Sequence, residues 1–205
     1  GDNARLLSKA RFMFMADCPQ DFSSRVIVEM RGLSDSAGRS PFWDSLGQHF
    51  FRMDFARADY LTGIGNKAFI AEMMPKFPLY ACFLSDAARE AIGQVHPDSE
   101  AGRAVLEEEG MCYQGYIDIF DGGATLEAQR SQVRAIRDSR NLLLSVGTPG
   151  DDAATHLIYN RTRESCRMIA VPARIAAGTL VVSSASAELL RLRAGTPVRA
   201  VALQG

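Results

Sequence analysis

The segment "GQVHPDS", residues 93–99, presents a histidine in a short connection between two stretches that have helical patterns. Imidazole titrates close to neutral pH, and loops held by rigid elements commonly carry catalytic groups, so His96 is a candidate for proton transfer. Pro97 biases His96 towards an extended backbone. The alternative is a solvated loop histidine without chemistry, and the residues alone name no partner for the ring.

Glu29 and Arg31 form a second candidate, because they share one face of a predicted strand, "RVIVEMRG". Strand alternation places Val26, Val28 and Met30 on the opposite face. Two charges on a covered face must either pair with each other or face a cleft. The pattern therefore predicts either a structural ion pair or a contact surface for a charged substrate.

The start of the chain, "GDNARLL", predicts a glycine-containing turn that leads into a helix at Arg5. Unpaired backbone N–H groups and the helix dipole at such a position can hold a phosphate. Gly1, Asn3, Ala4 and Arg5 are the candidate phosphate-binding residues. A plain turn without a ligand is the alternative.

The other histidines and the cysteines predict no chemistry. We expect His49 to be a partly exposed residue on a helix and His156 to begin a strand. Neither has a second ligand at metal-binding spacing, so no metal site is predicted. The four cysteines form no CxxC pair, so neither a zinc knuckle nor a disulfide framework is predicted; they are Cys18, Cys82, Cys112 and Cys166. A reducing cytoplasm is the simplest expected location.

Composition limits the class of protein. The chain has 205 residues, 47% of them hydrophobic and 23% charged, which is typical of a globular protein with one sizeable domain or a domain with a small appendage. Its 23 basic and 24 acidic residues nearly cancel, so neither nucleic acid nor an anionic membrane is expected as a partner. No apolar run approaches the roughly 20 residues that span a bilayer, and no signal segment is visible.

The elements that must position the candidate residues follow from periodicity and capping. We predict a buried helix over residues 5–16, ended by Pro19, and a helix over 40–51 with Ser40 as cap and Pro41 in its first position. Short helices fill the region from Phe55 to Ile92, and the last of them begins at Ser85 and ends at Gly93.

A helix over residues 99–110 follows the histidine, with Ser99 or Asp98 as cap and Gly110 as its end. Residues 112–123 then read as a strand and a glycine turn. From about Arg140 short strands dominate, interrupted by one small helix, "SAELLRL". These patterns predict an α/β (α+β) fold with a small β-rich C-terminal subdomain, divided into residues 1–139 and 140–205.

Several stretches, taken in order, resemble arginine N-succinyltransferase, a family of GNAT-like acyl-CoA N-acyltransferases. The resemblance covers nearly all of residues 5–140 and is looser in the tail, where "AGTPVRAV" matches. The matching runs are "RLLSKARFMFMA", "EMRG", "GRSPFWDSLGQHFF", "MDFARADYL", "KAFIAEMMPK", "IGQVHP", "GRAVLEEEG", "YIDIFDGG" and "VRAIRDSR".

The resemblance implies a GNAT-like fold and a reaction. Succinyl is transferred from succinyl-CoA, a co-substrate rather than a resident cofactor, to the α-amino group of L-arginine, in the first step of arginine catabolism. The histidine of "GQVHP" is the family's proton donor and corresponds to His96. The family also binds the CoA pyrophosphate on backbone amides of an R-x-x-G-x-[GA] turn, whose last position corresponds to Ala4, while Asp2 stands where glycine is expected.

The family also carries well over a hundred residues ahead of this point, so the resemblance implies a fold incomplete at its N-terminus. We therefore expect a missing N-terminal segment or a second chain as partner, in a homo- or hetero-oligomer. Two alternatives stay open: a non-catalytic structural or regulatory subunit of a heteromeric acyltransferase, and an acyltransferase acting on ornithine.

Overall fold

The computed structural model describes residues 2–64, 68–73 and 75–203. The chain forms two compact units: the first comprises residues 1–26, 105–110 and 128–205, and the second comprises 27–104 and 111–127. Helices and strands are both present, so the predicted mixed α/β class is confirmed. The division of the chain after residue 139 stays a prediction.

Helices predominate up to Glu108, and strands predominate from Cys112 onward. The α-helices are α1 (Asp2–Asp17), α2 (Gln48–Phe51), α3 (Phe55–Gly63), α4 (Ala68–Met73), α5 (Asp86–Ala91), α6 (Glu100–Glu108), α7 (Arg134–Arg137) and α8 (Ser184–Leu190). The strands are β1 (Arg25–Glu29), β2 (Cys112–Ile117), β3 (Ala124–Gln129), β4 (Arg140–Val146), β5 (Thr155–Tyr159), β6 (Met168–Pro172), β7 (Arg174–Ala176), β8 (Thr179–Val182) and β9 (Pro197–Ala202).

The first unit is built on a six-stranded sheet with the order β6-β5-β9-β4-β8-β7. Only the β4–β8 pair is parallel among its described pairs; β9 runs antiparallel to both β4 and β5. Strand alternation sends Leu157 and Tyr159 towards α1, where they pack with Met13. It sends Ile158 to the opposite face, where it packs with Leu190 of α8. The sheet is therefore covered by one helix on each face.

The second unit contains a smaller sheet and an aromatic core. Strand β3 lies between β1 and β2 in this three-stranded sheet. Trp43 stacks on Phe51 and Phe120 at ring distances of 5.3 and 5.5 Å. Its indole N–H donates to the Met53 carbonyl at 3.1 Å, so the polar atom of the ring is satisfied. Gly47 is required here, because a Cβ would lie 2.2 Å from the Trp43 ring.

Most of the predicted elements are present. The helix predicted over residues 5–16 extends over Asp2–Asp17, and the β1 alternation is observed, with Val26 and Met30 buried and Ile27 exposed. All the strands predicted after residue 140 form, as does the small helix α8. The helix predicted over 40–51 is present with Ser40 accepting from the Trp43 N–H, but its centre, Trp43–Gly47, is a π-helix.

The structure differs from the predicted elements in three places. The glycine turn expected through Ala4 is instead the first turn of α1, because Asn3 and Ala4 are already helical. The segment after His96 begins with a 3-10 turn over Pro97–Ser99, which the His96 ring caps by accepting from the Asp98 N–H, and α6 begins only at Glu100. Strand β3 was not predicted from the sequence. None of the helices in the described part of the chain is both long and apolar enough to cross a lipid bilayer.

Candidate functional site

His96 is fixed through its backbone in the second unit. Its N–H donates to the Arg31 carbonyl at 2.8 Å, and its own carbonyl accepts from the Ser99 N–H at 2.8 Å. The backbone is extended, at φ −59° and ψ 138°, as Pro97 requires. This connection is therefore tied to the strand end at Arg31 and to the start of the next helix, so it is an ordered loop.

The His96 ring has one nitrogen engaged and one available. Nδ1 accepts a hydrogen bond from the Asp98 N–H at 3.2 Å, so the neutral ring carries its hydrogen on Nε2. The Asp98 carboxylate lies 3.5 Å from Nδ1 and would face an N–H there if the ring were protonated. The side chain is 16% exposed. Nε2 is thus the atom that a reacting group could approach.

A tight acidic turn, Asp118–Gly123, holds the neighbouring segments together. The buried Asp121 carboxylate accepts from the Gly32 N–H at 2.6 Å and from the Gly123 N–H at 2.8 Å. The Gly122 carbonyl accepts from the Gly93 N–H at 2.8 Å. Gly32 must lack a side chain, because a Cβ would lie 2.6 Å from the Asp121 carbonyl oxygen. The strand end, the histidine loop and the acidic turn therefore form one connected site.

Asp118 is the perturbed acid of this site. Burial, with smaller contributions from the Asp121 and Glu29 carboxylates, raises the pKa of Asp118 to about 6, against the opposing effect of the Phe120 N–H hydrogen bond. That N–H donates to the Asp118 Oδ1 atom at 2.7 Å. A carboxyl group that titrates near neutral pH in a connected polar site is a feature of functional centres.

Glu29 and Arg31 are both exposed and follow the predicted alternation. No ion pair joins them in the ranges that the structure describes; the Arg31 guanidinium instead donates to the Ser34 hydroxyl at 2.9 Å. The structural-pair alternative is therefore not what the structure shows. Glu29 lies close enough to Asp118 to affect its titration, and Arg31 is bonded to His96 through its backbone.

The phosphate-binding candidates lie in the first unit, in the first turn of α1, except Gly1, which falls outside the described residues. Asn3 and Ala4 are exposed, and an α-helix leaves such first-turn amides without intrahelical partners. The Arg5 guanidinium pairs with the Glu108 carboxylate at 2.5 Å, so its charge is already shared. Their role as CoA contacts stays a prediction.

The remaining candidates behave as expected in position. His49 is exposed on α2, and His156 is the second residue of β5 and is buried. All four cysteines are free. Within the described ranges, no three or more His, Cys, Asp or Glu side chains are grouped so that they could hold a metal ion.

Sequence reasoning missed Asp118, which it interpreted as part of a strand, and Asp121, which it interpreted as part of a plain turn. A signal was available in "IDIFDGG", because two acidic residues at a strand end next to glycines often carry function. The sequence did not indicate that the Asp121 carboxylate accepts a hydrogen bond from Gly32, which lies 89 positions away.

Comparison with known proteins places this α/β chain in the fold class of a succinyltransferase. A Pseudomonas aeruginosa chain described as arginine/ornithine succinyltransferase subunit AI matches with a TM-score of 0.84 and 35% identity, over 98% of this chain and 57% of that chain. The family "Arginine N-succinyltransferase beta subunit" matches residues 1–135, and the corresponding C-terminal domain matches residues 140–202. The chain belongs to the arginine N-succinyltransferase beta subunit family.

Curated relatives support the same family. "Arginine N-succinyltransferase subunit beta" of Pseudomonas aeruginosa is 62% identical over 99% of this chain and 60% of its own length. "Arginine N-succinyltransferase" of Escherichia coli is 50% identical over 98% of this chain and 59% of its own length. The chain therefore spans about three fifths of the length of these relatives. The predicted family is confirmed.

Proposed function

We propose that this chain takes part in succinyl transfer from succinyl-CoA to the α-amino group of L-arginine, which yields N2-succinylarginine and free CoA. One observation carries the proposal: 62% identity, over 99% of the chain, to a protein named arginine N-succinyltransferase subunit beta. Arginine catabolism is the setting that this reaction implies. Four free cysteines are compatible with the reducing cytoplasm that we propose as its location.

His96 is the proposed general acid. The neutral arginine amine attacks the thioester carbonyl, its nitrogen gives up one proton to water, and the tetrahedral intermediate then collapses as its C–S bond breaks. The departing CoA thiolate takes a proton from Nε2, the ring nitrogen that the backbone leaves available. In the protonated ring, Nδ1–H faces the Asp98 carboxylate 3.5 Å away.

The acyl donor is proposed to bind its pyrophosphate at the start of α1. First-turn amides and the positive end of the helix dipole attract phosphate, and Asn3 and Ala4 are exposed there. Gly1 and Arg5 complete the proposed set. The ion pair between Arg5 and Glu108 makes the guanidinium a weaker phosphate contact than the backbone amides, because part of its charge is already compensated.

The amino acid is proposed to bind near the acidic turn. L-arginine carries a cationic side chain and a carboxylate, so it needs acidic and basic partners on one surface. Glu29 and Asp118 are close enough to interact electrostatically and suit the cation. Arg31 makes no ion pair among the described residues and suits the carboxylate. Ornithine has the same two charged ends, and the succinyltransferase structure that matches is named for both amino acids.

A second candidate function is that of a structural or regulatory subunit without its own chemistry. The word "beta" in the relative's name favours it. Under either function we propose that the remaining part of the acyl-CoA cleft comes from a further segment or a second chain, in an oligomer. We also propose residues 140–205 as a separate β-rich domain, since a distinct family domain matches residues 140–202.

Thiol release from succinyl-CoA with L-arginine tests the proposal, using the assembled enzyme and two matched variants. His96→Ala is expected to lose about 10²- to 10⁴-fold in kcat, as removal of a general acid does, whereas His49→Ala, on exposed α2, is expected to keep wild-type rates. Wild-type turnover of His96→Ala from about pH 6 to 9 would show that His96 is not the proton donor and would favour the non-catalytic subunit. L-ornithine in parallel decides the acceptor.

A further inference from the structure

A cavity of about 250 Å³ in the first unit has no part in the proposed reaction. Its floor is formed by apolar residues of β9, among them Ala200 and Val201. The polar side chains that line it come from α1, the α7 region and the sheet, and they are Lys9, Arg134, Asp138, Arg140 and His156. Four of these five are cationic or can become so, which indicates an anion as the complementary ligand.

Two of the charges are already compensated. The Lys9 ammonium, almost fully buried, lies 2.5 Å from the Glu109 carboxylate. The Asp138 carboxylate accepts two hydrogen bonds from the Arg137 guanidinium at 2.8 and 3.1 Å. Those bonds, with the charges of Arg134 and Lys9, hold the pKa of Asp138 below its usual range. Asp138 therefore stays negatively charged and disfavours a bound anion, but the Arg137 guanidinium partly neutralises its charge.

Arg134 and Arg140 form no ion pair within hydrogen-bond distance in the described part of the chain, although the charge of Arg134 also acts on the Asp138 carboxylate. Arg134 makes one long contact, 3.5 Å, from Nη1 to the Glu108 carbonyl oxygen. Arg140 opens β4 and has an exposed side chain. Guanidinium groups bind carboxylates and phosphates through two parallel N–H donors, so a pair of free guanidiniums around one cavity suits an oxyanion.

His156 adds a donor that can adapt. Its Nδ1 lies 2.9 Å from the Ala154 carbonyl oxygen, which only accepts, so Nδ1 carries a hydrogen. Nε2 makes no hydrogen bond to the described residues, and His156 is only 9% exposed. When protonated, the ring presents Nε2–H as a further charged donor to an anion.

We propose that this cavity binds a small oxyanion, a carboxylate or a phosphate, held by Arg134 and Arg140, with His156 as a third donor when its ring is protonated. The volume of about 250 Å³ lies just below the range of about 300–1,000 Å³ that is typical of ligand pockets, so it suits an anion of a few heavy atoms. The site uses no residue of the proposed transfer reaction. Inorganic phosphate and a free dicarboxylate are the two sources of this chemistry.

Isothermal titration calorimetry on the full chain tests the site, with inorganic phosphate and with succinate as probes at constant ionic strength. Arg140→Ala is expected to weaken binding at least about tenfold, since each bidentate guanidinium contact contributes strongly. Arg193→Ala removes the same charge from an exposed residue outside the cavity, and is expected to stay within about twofold of wild type. Asp138→Asn is expected to bind more tightly, because it removes the opposing carboxylate.

Saturable binding of either probe, with that order of affinities, supports the site and identifies its source as phosphate, carboxylate or both. Two results would overturn it: no saturable binding of phosphate or succinate to the wild-type chain, or equal losses in Arg140→Ala and Arg193→Ala. The opposite direction expected for Asp138→Asn separates a lost ligand contact from a lost fold, since a misfolded variant would not gain affinity.

Discussion

Removal of one partner from the buried ion pair between Lys9 and Glu109 is expected to destabilise the first unit, and Lys9→Met does so with little change in side-chain length. The two groups are 3% and 2% exposed and lie 2.5 Å apart. The second Glu109 oxygen accepts from the Ala135 N–H at 2.7 Å. Without the ammonium, a charged carboxylate would stay buried with a single hydrogen bond, which is strongly unfavourable.

The cost is limited because the carboxylate can take up a proton. Breaking a buried pair by removing one partner costs about 3–5 kcal/mol. Protonating a glutamate costs about 1.36 kcal/mol for each pH unit above its ordinary titration point near 4.3, which gives about 4 kcal/mol at pH 7 and about 1 kcal/mol at pH 5. We therefore expect Lys9→Met to lose about 3–4 kcal/mol of unfolding free energy at pH 7 and about 1 kcal/mol at pH 5.

Urea unfolding followed by far-ultraviolet circular dichroism at both pH values measures this loss. With a slope of about 1–3 kcal/mol per molar urea, the midpoint at pH 7 moves down by at least about 1 M. Lys76→Met makes the same substitution at an exposed lysine and is expected to stay within about 0.5 kcal/mol of wild type. A deficit below about 1 kcal/mol at pH 7, or an equal deficit at both pH values, would refute the reasoning.

Two further predictions concern the second unit, where Trp43 fluorescence reports urea unfolding. Gly93→Ala is expected to lower the free energy of unfolding by more than about 1 kcal/mol, because φ is +72° and a Cβ would lie 2.7 Å from the Tyr113 hydroxyl oxygen. The control, Gly63→Ala, has open space around its Cβ on α3 and is expected to be neutral or slightly stabilising. Equal effects of the two substitutions would contradict this prediction. Burial raises the pKa of Asp118 to about 6, so its contribution to stability is full below pH 3.8 and lost as pH rises through 6. Asp118→Asn is therefore expected to raise the free energy of unfolding by about 2–3 kcal/mol at pH 8 and to leave it unchanged near pH 3.5. An increase that is the same at both pH values would show that ionisation of Asp118 is not its cause.

Local patterns predicted the elements whose burial follows their own periodicity. In β1 the alternation of Val26 and Met30 with exposed Glu29 and Arg31 is visible in the letters, because a strand with one covered face repeats every two residues. Ser85 was recognised as a cap by its residue type, and its hydroxyl accepts from the Ala88 N–H.

Strand β3 could not be recognised in the same way. Its residues, Ala124–Gln129, read "ATLEAQ", and alanine, glutamate and glutamine favour helices more than strands. The strand forms because β1 and β2 flank it on both sides, so its backbone groups find partners there. Its conformation is therefore a property of neighbours distant in sequence.

The candidate site was also predictable only where the signal was local in sequence. His96 could be singled out by residue type and family pattern, but its ring as a cap could not, since histidine is an uncommon cap residue. The pairing of Lys9 with Glu109 spans 100 positions, and nothing in "EEEG" indicates which glutamate is the buried one. Ion pairs between residues that are distant in sequence produce no local spacing pattern, so they could not be predicted.

The central place of β9 in the large sheet sets the order in which the first unit can be completed during synthesis. Strand β9 lies between β5 and β4, yet Pro197–Ala202 leaves the ribosome after all five other strands. Until then β6–β5 and β4–β8–β7 are two separate ladders, and each exposes an unpaired edge. The nascent chain therefore exposes two unpaired strand edges between the synthesis of β8 and that of β9, and β9 covers both edges at once when it inserts.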